Sequence, residues 1–264
     1  MPSAKLWLAL QDLWAGTRAI HVWPMLGWLE VKQRYRRSTI GPFWLTLSTA
    51  AMVAGMGPLY SKLFGQPVSG YFTYLAVSLV LWTFVSALVN EACTTFINAE
   101  GYIKQVRLPL TVHVLRVVWK NLIILGHNAV IVVVALFFFG PGLDWHVVLV
   151  PLGVLLIAVN GVWLGILLGL VCARFRDIPQ IVASLMQVAM FLTPVFWPAE
   201  MLGRNRWAAE VNPLFHFLEI VRRPLLGQSP DALSWAAALA VTAGGYLVTL
   251  AFFQRYRARI AYWV

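Results

Sequence analysis

Long apolar stretches alternate along the chain with short segments that carry the charges. Six stretches without Asp, Glu, Lys or Arg are longer than 20 residues: 38–61, 63–90, 121–143, 145–173, 178–199 and 232–254. Each can form a helix that crosses a hydrocarbon core of about 30 Å, at about 1.5 Å per residue. Such continuous runs differ from the alternating strands of a membrane barrel. The pattern predicts an all-α integral membrane protein with six transmembrane helices, at about 42–61, 71–90, 112–139, 146–172, 179–197 and 232–253.

Composition agrees with this prediction. The 264 residues are 60% hydrophobic and 11% charged, whereas a soluble domain carries roughly 25% charged residues. The net charge of +10 could suggest a nucleic-acid-binding protein. The basic residues lie in short segments between apolar runs and form no stripe on a soluble face, so this class is excluded.

The distribution of Lys and Arg predicts the orientation. Fifteen basic residues fall on the side of the two termini and five on the other side. Positive charge marks the cytoplasmic side, so both termini are expected in the cytoplasm. The chain then divides into a cytoplasmic amphipathic interface segment at 1–37, a transmembrane domain at 38–254 and a basic cytoplasmic tail at 255–264.

Two connecting segments are longer than a simple turn requires. The cytoplasmic segment 91–110 contains a short helix-compatible piece that must stop before Pro109, because a residue that precedes proline disfavours helix. The outer segment 197–231 combines prolines with many apolar residues. Irregular backbone at membrane depth is tolerated only against protein or a water-filled cavity. We therefore expect short re-entrant helices on the outer side, between the fifth and sixth spans.

Small and polar residues inside the spans favour helix packing. Gly161, Gly165 and Gly169 recur on one face of the fourth span, where they allow close approach either within the subunit or between subunits. His127 and Asn128 lie within the third span without the carboxylates that a proton relay or metal site would need, so an interhelical hydrogen bond is the favoured role.

The chain lacks the sequence signatures of catalysis. It contains no GxxxxGK[ST] phosphate loop, so we do not expect it to hydrolyse ATP by itself, and no catalytic or metal site is predicted. Asp177 is expected at the N-cap of the fifth span, with Pro179 in the first turn.

Aromatic residues make up 14% of the chain. A single aromatic residue is most simply part of an interfacial belt or of the lipid-facing surface. Together they permit an aromatic, uncharged conduit that would suit a neutral glycan. The residues predicted to line it are Phe43, Trp44, Tyr60, Trp82, Phe84, Phe191, Phe196 and Trp197.

Five stretches of sequence occur in an informative order. They are RYRRSTIGPFW, EGYIKQVRLPLTVHVLRVVWKN, ARFRDIPQ, NPLFHFLEIVRRPLLG and the terminal QRYRARIAYWV. In this order they resemble the permease subunits of ABC-2 type polysaccharide exporters, that is, the Wzm-type O-antigen permeases and their capsule and teichoic-acid relatives. The resemblance begins near residue 28 and does not account for the Trp-rich segment before it.

The resemblance implies a transport subunit, not an enzyme. It implies a homodimer in the bacterial inner membrane, paired with two copies of a cytoplasmic ATPase that binds ATP and Mg²⁺. Its substrate would be a polysaccharide on an undecaprenyl diphosphate carrier. The family's surface helix maps onto residues 28–38, its coupling helix onto 98–106 and its re-entrant helices onto 198–226.

Two sets of site residues follow from the resemblance. Arg34, Arg36 and Arg37 are expected at the entrance, where guanidinium groups would attract the lipid diphosphate through charge-assisted hydrogen bonds. The predicted contacts with the ATPase are Glu100, Tyr102, Lys104, Arg174 and Asp177.

Two alternatives remain open from the sequence. An ABC-2 permease for drugs or small lipids would share the topology. A membrane-embedded glycosyl or acyl transferase would need acidic and histidine side chains within reach, and the outer segment offers Glu210, His216 and Glu219. Glu219 is more simply expected to pair with Arg222 and Arg223 along one helix.

Overall fold

The computed structural model describes residues 2–35, 43–142 and 144–264. Within these residues the regular elements are helical. The α-helices are α1 Pro2–Arg18, α2 Trp23–Tyr35, α3 Phe43–Leu63, α4 Val68–Thr94, α5 Glu100–Gln105, α6 Leu110–Phe139, α7 Val150–Arg174, α8 Ile178–Leu192, α9 Trp207–Glu210, α10 Pro213–Leu225, α11 Ala232–Tyr256 and α12 Ile260–Trp263. Short 3₁₀ helices cover Trp145–Leu149, Ala199–Asn205 and Arg257–Arg259.

Four helical segments of the described chain are long and apolar enough to cross a membrane. They are Val68–Thr94, Leu110–Phe139, Trp145–Arg174 and Ala232–Trp263, and they match the second, third, fourth and sixth predicted spans. The prediction of an all-α membrane protein is thereby confirmed at this coarser level. The helices α3 and α8 lie where the first and fifth spans were predicted, but they are outside this set of four. The number of six spans and the orientation of the termini stay predictions.

The fifth predicted span is shorter than expected. We expected a helix at 179–197, whereas α8 has 15 residues and ends at Leu192. The next residue, Thr193, is extended, with φ −90° and ψ 139°. Thr193 precedes Pro194, and the proline ring disfavours helical backbone at the residue before it. Residues 193–197 therefore leave the helix while still strongly apolar.

The core forms around α4, which is the most buried of the four candidate spans. Its Leu75, Ala76 and Val77 are completely buried. The helix packs against α3, α6, α7, α8 and α10. Helices joined by short connections, α3 with α4 and α6 with α7, also contact each other.

The glycine stripe of α7 packs inside the protomer. Gly161 lies against α4 and α6. A Cβ added at Gly165 would overlap Val114 of α6, and one at Gly169 would lie 3.0 Å from the ring of Phe96. The stripe therefore allows close helix packing within the subunit, which was the first of the two readings of this pattern.

The outer segment between α8 and α11 is helical in short pieces, namely Ala199–Asn205, α9 and α10. Asn212 caps α10 by accepting a hydrogen bond from the amide of Leu214 at 3.0 Å. Leu218 and Ile220 are buried in the core of the bundle, whereas Phe215 packs on Ala199 and Ala209 of the same segment. Short helices were predicted here, and their re-entry into the membrane stays a prediction.

Candidate functional site

The predicted entrance lies at the end of α2. Arg34 is in the last turn of this helix, and its side chain is outside the described part of the structure. Arg36 and Arg37 lie outside the described residues. Earlier in α2, a carboxylate oxygen of Glu30 lies 3.0 Å from Arg116 Nε, and the second lies 3.0 Å from Lys120 Nζ. Both partners belong to α6, so α2 is held against a candidate membrane span.

Lys120 extends this contact to α4. Its Nζ also lies 2.8 Å from a carboxylate oxygen of Glu91, which accepts a hydrogen bond from Asn121 at 2.8 Å. Glu30, Glu91, Arg116 and Lys120, called here the inner ion cluster, contain two acids and two bases. The net charge of the cluster is therefore zero, which reduces the cost of placing these groups beside apolar helices.

A short helix, α5 Glu100–Gln105, lies within the range 98–106 predicted for the coupling helix, and none of its residues is buried. Its contact with an ATPase stays a prediction. Lys104 Nζ lies 2.6 Å from a carboxylate oxygen of Glu100. The hydrogen bond from Lys104 and its charge hold the pKa of the Glu100 carboxyl below its usual value, and the charge of Arg176 acts in the same direction. Tyr102 is 45% exposed. The helix thus presents charged and aromatic side chains to the outside of the protomer.

The other two predicted coupling residues flank the connection between α7 and α8. Arg174 is exposed, and its guanidinium carbon lies 5.7 Å from the ring centre of Phe175 and 5.9 Å from that of Trp263. Asp177 occupies the N-cap position of α8 as predicted, but its side chain accepts no capping hydrogen bond. Trp263 of α12 lies beside Arg174 and accepts a hydrogen bond from Arg176 at 3.0 Å, and α12 also contacts α5, so α12 lies beside both exposed segments.

Four of the eight predicted pathway aromatics meet at the far ends of α3 and α8. The rings of Tyr60 and Phe196 stack with centres 6.3 Å apart, and Phe191 lies 5.9 Å from Phe196. Trp197 Nε1 donates a hydrogen bond to the Phe191 carbonyl at 3.2 Å. These four residues are called here the outer aromatic cluster.

The remaining four aromatics do not join this cluster. Trp82 and Phe84 are buried in the core around α4. Trp44 is 58% exposed at the opposite end of α3, and the side chain of Phe43 is outside the described part of the structure. The eight residues therefore do not form one continuous surface within a protomer.

Two tyrosines that the sequence did not single out hold the irregular stretch 193–197. Tyr71 OH donates to the Phe196 carbonyl at 2.5 Å, and Tyr74 OH lies 2.8 Å from each of the Pro194 and Trp197 carbonyls. Tyr71 satisfies the Phe196 carbonyl, and Tyr74, whose hydroxyl has one proton to donate, satisfies one of the other two. An apolar environment requires such partners for carbonyl groups outside helices. The available signal was the spacing of three in YFTY, which places both hydroxyls on one face of α4.

A buried arginine on α10 completes this arrangement. Arg222 Nη1 lies 2.9 Å from Tyr74 OH, 3.0 Å from Ser78 Oγ and 2.5 Å from the Pro194 carbonyl. Its Nε donates to Glu219 at 2.9 Å. One side chain thus links α10, α4 and the stretch that follows α8.

The ion pairs predicted for Glu219 are confirmed. Besides Arg222, its second carboxylate oxygen lies 2.9 Å from Arg223 Nε. His216, by contrast, bonds Ser234 Oγ at 3.1 Å and the backbone carbonyl of Glu210 at 2.7 Å. The Glu210 carboxylate lies 3.1 Å from Arg206 Nε, so each of the three side chains considered for a transferase has a structural partner.

The polar residues of the third span also have structural partners. Thr46 Oγ1 of α3 donates to Asn128 Oδ1 of α6 at 3.0 Å, which confirms the predicted interhelical hydrogen bond. His127 Nδ1 lies 2.9 Å from the Ile123 carbonyl of its own helix.

Several apolar helices of membrane length, with a short exposed helix between two of them and buried polar links, are the features of a multi-pass membrane protein. Comparison with known proteins specifies the family, since the model of the ABC-2 type transporter family matches residues 22–226. The chain belongs to this family.

A curated relative is similar over part of the chain. The O-antigen export system permease protein RfbA of Myxococcus xanthus is 28% identical over 169 residues, which cover 64% of this chain. The match spans 65% of the length of that relative. The expected resemblance to Wzm-type permeases is thereby confirmed.

Proposed function

We propose that the chain is the transmembrane permease subunit of an exporter of cell-surface polysaccharide. The family match over residues 22–226 supports a transport subunit, and the similarity to a permease named for O-antigen export supports a glycan substrate. The proposed substrate is a polysaccharide on undecaprenyl diphosphate, such as O-antigen. The proposed location is the bacterial inner membrane.

The working assembly in this proposal is a homodimer with two copies of a cytoplasmic ATPase. ATP and Mg²⁺ would be bound by that partner, since this chain contains no phosphate-binding loop. The helices α3 and α8 complete six spans in each protomer, with both termini in the cytoplasm. The fifteen-to-five distribution of basic residues supports this orientation.

The pathway begins at the cytoplasmic end of α2. Arg34, Arg36 and Arg37 attract the diphosphate, and α5 together with the connection that holds Arg174 and Asp177 receives the motion of the ATPase. The glycan then passes between protomers. The outer aromatic cluster carries this part of the proposal, because its rings come from α3 and from α8 with the stretch after it. Phe191 is 67% exposed there and lies against the buried ring of Phe196, so it offers an uncharged, flat surface suited to a sugar ring.

Co-expression with candidate ATPase subunits tests the proposal. Affinity purification through a tag on this chain should recover a complex with equal amounts of the two subunits, and mass spectrometry should find a lipid-linked sugar in it. An exporter reconstituted in proteoliposomes should move that glycan only when ATP is supplied. Recovery of a drug or small lipid as the transported species, with no glycan transport, would contradict the proposed substrate.

A further inference from the structure

The N-terminal helix α1 contains a buried carboxylate, Asp12, which is 6% exposed. Its Oδ1 accepts hydrogen bonds from the amide of Thr111 at 3.1 Å and from its hydroxyl at 2.9 Å. Its Oδ2 accepts from the amide of Leu110 at 3.2 Å and lies 3.2 Å from Arg257 Nε. One side chain therefore joins three segments that are far apart in the sequence.

The two amides belong to the first turn of α6. This helix begins at Leu110 after Pro109, which supplies no capping hydrogen bond. The first amides of a helix have no partner within it, and a negative charge at this end is favourable. Asp12 therefore caps the N-terminus of α6, although it lies 98 residues before Leu110.

The start of α6 is also the end of the coupling segment. Only residues 106–109 separate α5 from α6. Ile103 of α5 packs on an apolar cluster that includes Ala9 of α1 and Ile260 of α12. A close approach of α1 supports the same contact, because a Cβ added at Gly16 would lie 2.5 Å from Thr111 Cβ. Thus α1 and the C-terminal end of the chain form the support beneath α5.

We propose that Asp12 is a positioning residue for energy coupling. It fixes the first turn of α6 to α1 and to Arg257, so that displacement of α5 moves α6 as a rigid helix. Without the bond between Asp12 and the first amides of α6, the same displacement unwinds the first turn of α6. The membrane-spanning part of the helix then does not move. This role rests on the proposed function, in which α5 is the contact with the ATPase. It also assigns a function to the Trp-rich segment before residue 28.

The first test uses the purified permease alone. Hydrogen exchange at the amides of Leu110 and Thr111 should be at least about tenfold faster in Asp12→Ala than in the wild type, because a hydrogen bond to a charged group is worth about one decade or more in an equilibrium constant. The control is Gln11→Ala, a change at the exposed neighbour on the same helix, which should leave exchange unchanged. Equal exchange in Asp12→Ala and the wild type would overturn the capping role.

The second test uses the complex with the ATPase in proteoliposomes. Glycan exported per ATP hydrolysed should fall several-fold in Asp12→Ala, while the amount of bound ATPase stays at the wild-type level. Asp12→Asn keeps one acceptor oxygen for Thr111. Its exchange rate at these amides and its export per ATP should therefore lie between those of the wild type and Asp12→Ala. Arg257→Gln removes only the link to the tail and should keep the amides of α6 protected.

These readouts separate the possible failures. Faster exchange with unchanged export per ATP would overturn the positioning role, because the bond would then be structural only. A wild-type complex that hydrolyses ATP and exports no glycan would contradict the proposed function. In that case, hydrogen exchange at the amides of Leu110 and Thr111 in the complex during ATP hydrolysis still decides whether Asp12 keeps the first turn of α6 intact. Equal exchange in the wild type and Asp12→Ala would overturn the positioning role.

Discussion

The buried Arg222 allows a direct test of how α10 is held. In Arg222→Met, the guanidinium that contacts Glu219, Tyr74, Ser78 and the Pro194 carbonyl is replaced by an apolar chain of similar length. Glu219 stays buried and keeps only its contact with Arg223. Removing one partner of a buried ion pair costs about 3–5 kcal/mol, because the remaining charge has no adequate compensation. We expect a loss of that size in the free energy of unfolding.

A double-mutant cycle isolates the pair from the general effect of the substitution. In the double variant Glu219→Gln with Arg222→Met, no uncompensated carboxylate remains. The double variant should therefore be more stable than the sum of the two single changes predicts, by about 1–3 kcal/mol for residues in contact. Unfolding can be followed by tryptophan fluorescence in mixed micelles, since the chain has 13 tryptophans.

Arg204→Met is the matched control, because Arg204 lies on the same outer segment and is exposed. The free energy of unfolding of this variant should lie within about 0.5 kcal/mol of the wild-type value, as is usual for surface substitutions. If Arg222→Met were no less stable than this control, or if the cycle gave simple additivity, Arg222 would not organise the outer segment in the way described.

Three further predictions concern the packing and the proposed sites. Gly165→Ala should lose about 1–3 kcal/mol in the free energy of unfolding, because the added Cβ overlaps Val114. In the control Gly126→Ala the added Cβ meets no atom, and the variant should gain up to about 1 kcal/mol. Equal melting temperatures of the two variants would contradict this packing. Replacing the arginines at 34, 36 and 37 together by Gln should abolish glycan export and leave ATPase association intact, so export at the wild-type rate would refute the entrance assignment. Lys104→Glu breaks the pair with Glu100 and reverses a charge on the exposed face of α5. ATP hydrolysis should continue with much less glycan export. Unchanged export per ATP would count against the proposed contact of Lys104 with the ATPase.

Local features of the sequence predicted local features of the structure. Helices of membrane length follow from uninterrupted apolar runs, because a helix satisfies its backbone without water. The end of α5 and the start of α6 follow from Pro109, and the pairs of Glu219 follow from spacings of three and four on a helix. In each case the deciding interaction lies within a few residues of the chain.

The facing of the apolar helices could not be predicted in the same way. A helix that is apolar all round shows no periodicity that separates its buried side from its lipid side. Trp82 and Phe191 therefore looked equivalent in the sequence, although Trp82 is buried around α4 and Phe191 is 67% exposed at the end of α8.

Long-range polar contacts were also out of reach. The bond between Asp12 and Thr111 joins residues 99 positions apart, and Lys120 contacts acids on two other helices. Nothing in the spacing of these residues indicates the contact. The pairing depends on how α1, α2 and α4 pack on α6, which is decided by the whole fold.

The early end of α8 has a consequence for the bilayer. Fifteen residues at about 1.5 Å each give a helix of about 22 Å, which is about 8 Å less than the usual hydrocarbon thickness. If α8 is the fifth span, as proposed, the hydrophobic mismatch favours a locally thinner membrane beside it. A polar polymer leaving along this helix would then have a shorter dehydrated distance to travel than at any of the longer helices.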